Sequence, residues 1–197
     1  QVRLAAKMKF LAGLARKVAS MNGIDVIPSV QEKLGEMASL AAIVEGMVAA
    51  AEATCSIDQH GVAKPNPKYI YGIMGLQGEL YPRAVSILRE LAGGGVIQLP
   101  SSYKEIVNPE TRPDFERYLQ GGRGSFDERI KLFKLVWDAV GSEFGGRHTQ
   151  YEMFYAGASY VTRGYSYRNF GYENAVASVD EFMARYGVPQ GEMKKLN

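Results

Sequence analysis

The residues best able to do chemistry lie in one stretch. Ser142-Glu143-Phe144-Gly145-Gly146-Arg147-His148-Thr149-Gln150-Tyr151-Glu152 joins a glycine pair to an arginine and one of the chain's 2 histidines. Paired glycines free the backbone and leave room for a close approach. A helix beginning after them would offer unpaired N–H groups to an anion, beside an Arg147 guanidinium suited to phosphate. Just downstream, Tyr151, Phe154, Tyr155, Tyr160, Tyr165, Tyr167, Phe170 and Tyr172 are interleaved with Arg163 and Arg168, in a chain holding 12 Tyr, 8 Phe and 1 Trp. Such faces can stack on an aromatic ring system. A blander reading uses the same residues: the glycines cap a helix and the aromatics pack under a loop. Chemistry alone leaves both open.

Other chemistries find less support. His60 and His148 lack the partners a structural metal site needs, and Cys55 is alone, so no metal site is expected. No nucleophile elbow is present, and Cys55 reads as a small buried residue near a helix end. Gly72, Gly75 and Gly78 recur every three residues without a preceding strand, so they read as a helix surface pared down for close packing rather than a nucleotide loop.

Helices must position these residues. Leu4, Met8, Leu11, Ala15 and Val18 carry a helical stripe that Asn22-Gly23 ends. A second helix is expected to open on Pro28-Ser29 with Glu32 completing a capping box. Its seam, Val30, Leu34, Met37, Ala41, Val44, Val48 and Ala51, alternates steps of four and three, the rhythm of near-parallel helix packing. Ala38, Ala42, Ala49 and Ala50 beside it imply a closely approaching neighbour. Residues 58–68 read as a loop. A third helix over about 69–91 carries Ile73, Leu76, Leu80, Ile87 and Leu91, with a kink or separate first turn expected from its glycines and Pro82. Residues 94–124 read as a long loop with one short helical turn near Phe115 to Leu119. Ser125 and Glu128 form another capping box for a helix with the seam Phe126, Ile130, Phe133, Trp137, Val140 and Phe144, broken at Gly145-Gly146. A final amphipathic helix over about 173–186, with Val176, Val179, Phe182 and Met183 apolar, is stopped by Gly187 and Pro189. The fold class is therefore all-α: a four-helix bundle over 1–156 with a helical C-terminal extension over 157–197.

Composition narrows the function classes. The chain has 197 residues, is 46% hydrophobic and 22% charged, and shows no uninterrupted apolar run of the ~18–20 residues a membrane span requires, so disorder and membrane insertion are not expected. With 23 basic and 21 acidic residues the electrostatic case for nucleic acid is weak. A single cysteine suits a reducing, cytoplasmic compartment. Helical periodicity begins within a few residues of Gln1, which reads as a domain cut from something longer.

One string carries a resemblance. Glu128-Arg129-Ile130-Lys131-Leu132, then Leu135-Val136-Trp137-Asp138-Ala139-Val140-Gly141-Ser142-Glu143-Phe144-Gly145-Gly146-Arg147-His148, Tyr151-Glu152 and Tyr155-Ala156-Gly157 resemble the C-terminal part of the 4-hydroxyphenylacetate 3-hydroxylase family, the oxygenase component of two-component flavin-dependent monooxygenases. Val30 to Glu36, Gly46-Met47 and Leu91 to Ser101 support it. The resemblance implies an acyl-CoA-dehydrogenase-like bundle, homo-oligomeric as a dimer or tetramer, working with reduced FAD from a separate flavin reductase, O₂ and a phenolic substrate that is hydroxylated ortho to its hydroxyl. It carries over no catalytic residue. Gly145, Gly146 and Arg147 resemble the family's glycine turn near the dinucleotide, and Tyr155, Ala156, Gly157, Ala158 and Ser159 resemble its flavin-touching loop. Beyond Ala158 the sequence departs from the family pattern, which leaves the phenol's identity open. A related dehydratase branch uses an iron–sulfur cluster, for which one Cys is insufficient. Two alternatives stand beside this reading: a non-catalytic helical assembly module, and an acyl-CoA dehydrogenase or dehydratase relative.

Overall fold

A computed structural model describes residues 1–187. Four long helices, α1 (Val2–Met21), α2 (Pro28–Ala53), α3 (Pro67–Ala92) and α6 (Phe126–Val140), share one core, in which Leu4, Met8, Val18, Met37, Val44, Ile73, Ile87, Leu88, Phe133 and Val136 are buried. The fold is all-α, a helical bundle with helices appended at its C-terminal side. Each fully buried Leu, Ile or Phe contributes roughly 1.5–3 kcal/mol, so this cluster is what holds the bundle together. The spacing-four-and-three seam of α2 is inward throughout, with Met37, Ala41, Val44 and Ala51 buried and Val30, Leu34 and Val48 half-buried.

The local rules hold at some helix ends and fail at others. Gly23 takes φ 71 just past α1, the left-handed stop expected there. Ser125 and Glu128 form the capping box of α6. At α2 the helix starts two residues earlier than expected: Ile27 is the N-cap in place of Ser29, Pro28 fills the first turn, and Ser29 lies inside the helix with no capping bond. Pro at this position already has the fixed φ a helix needs and no N–H to satisfy, so the capping box is not formed.

α3 is one continuous helix that contains Pro82, with no separate first turn. Its glycines are sites of contact. A Cβ on Gly72 would meet Met47 Cε at 2.8 Å, and one on Gly75 would meet Ser166 Oγ at 3.1 Å. Leu76 points outward, 44% exposed. The loop expected at 58–68 holds part of a small antiparallel hairpin, β1 (Ser56–Ile57) and β2 (Ala63–Lys64), whose turn Asp58 braces by accepting the N–H groups of His60 and Val62. The stretch 94–124 contains a 3₁₀ turn (Gly93–Val96), α4 (Tyr103–Val107) and α5 (Arg112–Tyr118), more helix than the one short turn expected near Phe115 to Leu119. Cys55 is exposed, not buried, because α2 ends two residues before it.

α7 (Glu143–Phe154) and α8 (Ser159–Asn169) pack on α3, and α9 (Tyr172–Ala184) follows. The aromatic stretch is thus helical rather than a loop. Few of its rings fill a core: Tyr160 is 81% and Tyr167 68% exposed. No residue of α9 is buried, so its apolar positions Val176, Val179, Phe182 and Met183 all face outward. Pro189, the expected stop, lies outside the described residues, as does the rest of 188–197. α2 is the one described helix long and apolar enough to cross a membrane, with hydropathy 1.5 but only 22% of that window buried.

Candidate functional site

The glycine pair sits inside α7, not at the end of α6. α6 closes at Gly141, and Ser142 caps α7 by accepting the Gly145 N–H at 2.9 Å while donating to the Asp138 carbonyl. Gly145 is buried at the α6–α7 corner, where a Cβ would lie 2.8 Å from the Asp138 carbonyl oxygen and 3.0 Å from that of Ala139. Gly146 faces open space. Arg147 is exposed and its guanidinium meets Glu143 at 2.6 Å. The first turn of α7 therefore has a hydroxyl cap and its own carboxylate, and an approaching anion would compete with both.

The other end of α7 is built differently. Tyr155 closes the helix, Gly157 takes φ 109 and donates to the Phe154 carbonyl at 2.9 Å, and Ala158 is the N-cap of α8. Alanine has no oxygen to offer, so the N-terminus of α8 at Ser159 has no side-chain cap. A cleft of about 110 Å³ opens beside it, lined by Gly75, Gly78, Gly157, Ser159, Thr162 and Arg163. Arg163 is tied to Glu79 at 2.5 Å. Ala156 lies between Tyr155 and Gly157 in this turn. The expected site residues thus fall into two groups: Gly145, Gly146 and Arg147 at one end of α7, and Tyr155 to Ser159 at the other. The 12-residue helix, about 18 Å long, separates them.

Between the two lies a polar cluster that the sequence reading missed. Glu152 is 1% exposed yet carries a carboxylate, held by the Lys7 ammonium of α1 and 3.5 Å from His148 Nε2. Phe144, His148, Tyr151 and Tyr155 form a ladder along α7, with successive ring centroids 5.8, 5.9 and 5.2 Å apart. The Arg3 guanidinium lies over Tyr151 and Tyr155 and donates to the Tyr151 hydroxyl at 2.6 Å. Burial, and behind it the Glu152 charge, pushes the Tyr81 hydroxyl up to about 12. The available signal was spacing: His148 and Glu152 are four apart, and the ladder steps by four, three and four.

Burial, with the Lys7 charge, holds the His148 imidazole below its ordinary value. A base whose pKa is depressed on folding binds fewer protons folded than unfolded, so its stability contribution is present above about pH 6.5 and is lost as pH falls through the folded value. Thermal midpoints measured at pH 7.5 and 5.5 should drop less in His148→Gln than in the parent. Equal drops would remove His148 from the account.

A family profile described as "4-hydroxyphenylacetate 3-hydroxylase C terminal" matches residues 1–184. The chain is 37% identical, over 82% of its own length and 31% of the relative's, to a (3S)-3-amino-3-(3-chloro-4-hydroxyphenyl)propanoyl-carrier-protein monooxygenase of Streptomyces globisporus. It is 33% identical, over 94% of its length and 37% of the relative's, to the oxygenase component of a 4-nitrophenol 2-monooxygenase of Rhodococcus sp.. The solved oxygenase component of a 4-hydroxyphenylacetate 3-monooxygenase, complexed with FAD and 4-hydroxyphenylacetate, superposes with TM-score 0.84 at 30% identity, covering 91% of this chain and 37% of that one. The chain spans about a third of the length of these relatives. A profile match over nearly all the described residues, joined to a bundle of the same shape, establishes that this chain belongs to the 4-hydroxyphenylacetate 3-hydroxylase C-terminal family.

Proposed function

We propose that this chain is the C-terminal domain of the oxygenase component of a two-component, FAD-dependent monooxygenase that hydroxylates a phenol ortho to its hydroxyl. The observation that carries the reading is the likeness to a relative solved with FAD and 4-hydroxyphenylacetate. Both the 2-position of 4-nitrophenol and the 3-position of 4-hydroxyphenylacetate, named for the relatives, are ortho to a phenolic hydroxyl. Reduced FAD, delivered by a separate flavin reductase, supplies the oxygen-activating chemistry when bound. The chain's own part is to hold it and keep water out, with the catalytic residues lying outside these 197 positions and no metal ion involved.

The turn between α7 and α8 suits that part. The N-terminus of α8 has no side-chain cap and Gly157 has open space where a Cβ would stand, which leaves unpaired N–H groups and room for a pyrophosphate, while Arg163 in the adjoining cleft is paired with Glu79 and would have to exchange that partner for a phosphate. Tyr155, Ala156, Ala158 and Ser159 complete this turn. Gly145, Gly146 and Arg147 would contact the dinucleotide from the other end of α7, the helix length of about 18 Å being the span of an extended cofactor rather than of one subsite. The domain's second role is assembly into a homo-oligomer. Ala38, Ala42, Ile43, Gly46 and Ala49 make an outward apolar face on α2, and α9 presents another, both in need of cover. The same face explains why α2 has a membrane-like composition while its inner side packs in the bundle. We place the protein in the cytoplasm, free of nucleic acid.

Ser159→Asp separates flavin binding from folding. A carboxylate in the first turn stabilises a helix but repels a phosphate. The full-length variant should keep its thermal midpoint and bind reduced FAD at least tenfold more weakly by fluorescence quenching. Unchanged affinity would refute this role for the turn, and flavin-independent assembly of the parent would favour the assembly-module alternative.

A further inference from the structure

Between α1 and α6 the outer side of the bundle carries a groove of about 520 Å³. Its floor is apolar, from Phe10, Leu14, Met21, Leu132 and Leu135, and both Phe10 and Leu135 are exposed. Lys9, Lys17 and Lys131 stand along it, and none of them forms an ion pair among the described residues. The carboxylate in the lining, Glu128, is already taken by the N–H and hydroxyl of Ser125. Gly13 also faces the groove from the middle of α1, with nothing within 4 Å of where a Cβ would stand. Glycine weakens a helix interior, and no contact among the described residues requires it at this point. A helix laid across Gly13 would approach α1 more closely than it could over any side chain.

α9 has the complementary surface. Val176, Val179, Phe182 and Met183 are all exposed, and Glu173 and Asp180, three residues before Val176 and four after it, run along one edge of that apolar stripe. Neither carboxylate forms an ion pair among the described residues. At about 1.5 Å per residue, Glu173 and Asp180 lie about 10 Å apart along α9, and Lys9 and Lys17 about 12 Å apart along α1. The outward apolar face of α2 is the other place α9 could go. That helix carries exposed Glu32, Glu45 and Glu52, which would repel an acidic partner.

We propose that α9 of one copy of this chain lies in the α1–α6 groove of a second copy, its apolar stripe on Phe10 and Leu135 across Gly13, its Glu173 and Asp180 carboxylates on Lys9 and Lys17. The exchange is reciprocal, so two copies related by a two-fold axis are held twice and the contact closes. This pairing rests on the homo-oligomeric reading and names the surfaces that would carry it.

Sedimentation velocity of the full-length protein over a dilution series tests it by charge exchange. Lys9→Glu with Lys17→Glu should weaken self-association at least about tenfold, because carboxylates then face carboxylates, and Glu173→Lys with Asp180→Lys should do the same. The variant carrying all four substitutions restores opposite signs and should return to within about threefold of the parent. Gly13→Leu, which raises the groove floor without changing charge, should also weaken association at least about tenfold. All these side chains are exposed, so thermal midpoints of the dissociated protein should stay at the parent's value. An oligomer indifferent to the substitutions, or a fourfold variant no better than the two double variants, overturns this pairing and leaves the homo-oligomeric reading standing. A parent that stays monomeric throughout overturns both.

Discussion

Replacing Lys7 by Met is expected to destabilise the chain by about 3 kcal/mol, because it leaves the Glu152 carboxylate buried without its cation. Glu152 is 1% exposed and cannot recover solvation by turning outward, whereas Lys7 is 26% exposed, which puts the cost at the lower end of the ~3–5 kcal/mol seen when one partner of a buried pair is removed. For a domain of this size each kcal/mol moves the thermal midpoint by about 2–4 °C, so a fall of about 6–12 °C should be read in a calorimeter. The double variant Lys7→Met, Glu152→Leu should recover most of the loss, since both charges then leave the interior together. The single variant should also raise the His148 pKa, because the Lys7 charge that opposes protonation is gone while Glu152 remains. A single-variant midpoint within about 2 °C of the parent would show that the pair carries little of the α1–α7 contact.

The adjacent glycines of α7 should respond in opposite directions to the same change. Gly145→Ala places a methyl 2.8 Å from one backbone carbonyl oxygen of α6 and 3.0 Å from the next, and backbone cannot swing aside as a side chain can. Opening the corner costs about 2–3 kcal/mol, against roughly 1 kcal/mol gained from the better helix former, so a net loss of about 1–2 kcal/mol is expected in urea unfolding. Gly146→Ala meets nothing within 4 Å and should gain up to about 1 kcal/mol. The contrast separates two explanations of the Gly-Gly pair: Gly145 is needed for a close helix–helix approach, while Gly146 has no packing reason to be glycine. If Gly146→Ala is stabilising and also weakens flavin binding in the full-length protein, a ligand is what requires the bare backbone at that position.

The bundle was readable because helical seams advertise themselves locally. The four-and-three steps of Val30 to Ala51, the stop at Asn22-Gly23 and the capping box at Ser125 depend on neighbours within a turn or two, and the structure keeps all three. The misreadings have a common cause. Pro82 looks like a breaker within α3, but the helix continues through it; the reading of Gly72 and Gly75 as close-packing positions holds, with Met47 and Ser166 standing opposite. Gly145-Gly146 looks like a helix end, but Ser142 supplies a better start three residues earlier. The 151–172 aromatics look like core or loop; they form one helix end and another helix, largely outward, for reasons no local rule contains.

By itself the sequence determined the fold class, the family and the two short strings that most resemble flavin-contacting segments, because each is written in contiguous residues. It did not determine that those strings lie at opposite ends of one helix, or that Glu152 is buried against Lys7 some 145 positions away. Those facts depend on which faces of α1, α3, α6 and α7 come together. Burial and pairing are properties of the packed whole, and a carboxylate four residues from a histidine looks the same in a sequence whether water or a lysine is waiting for it.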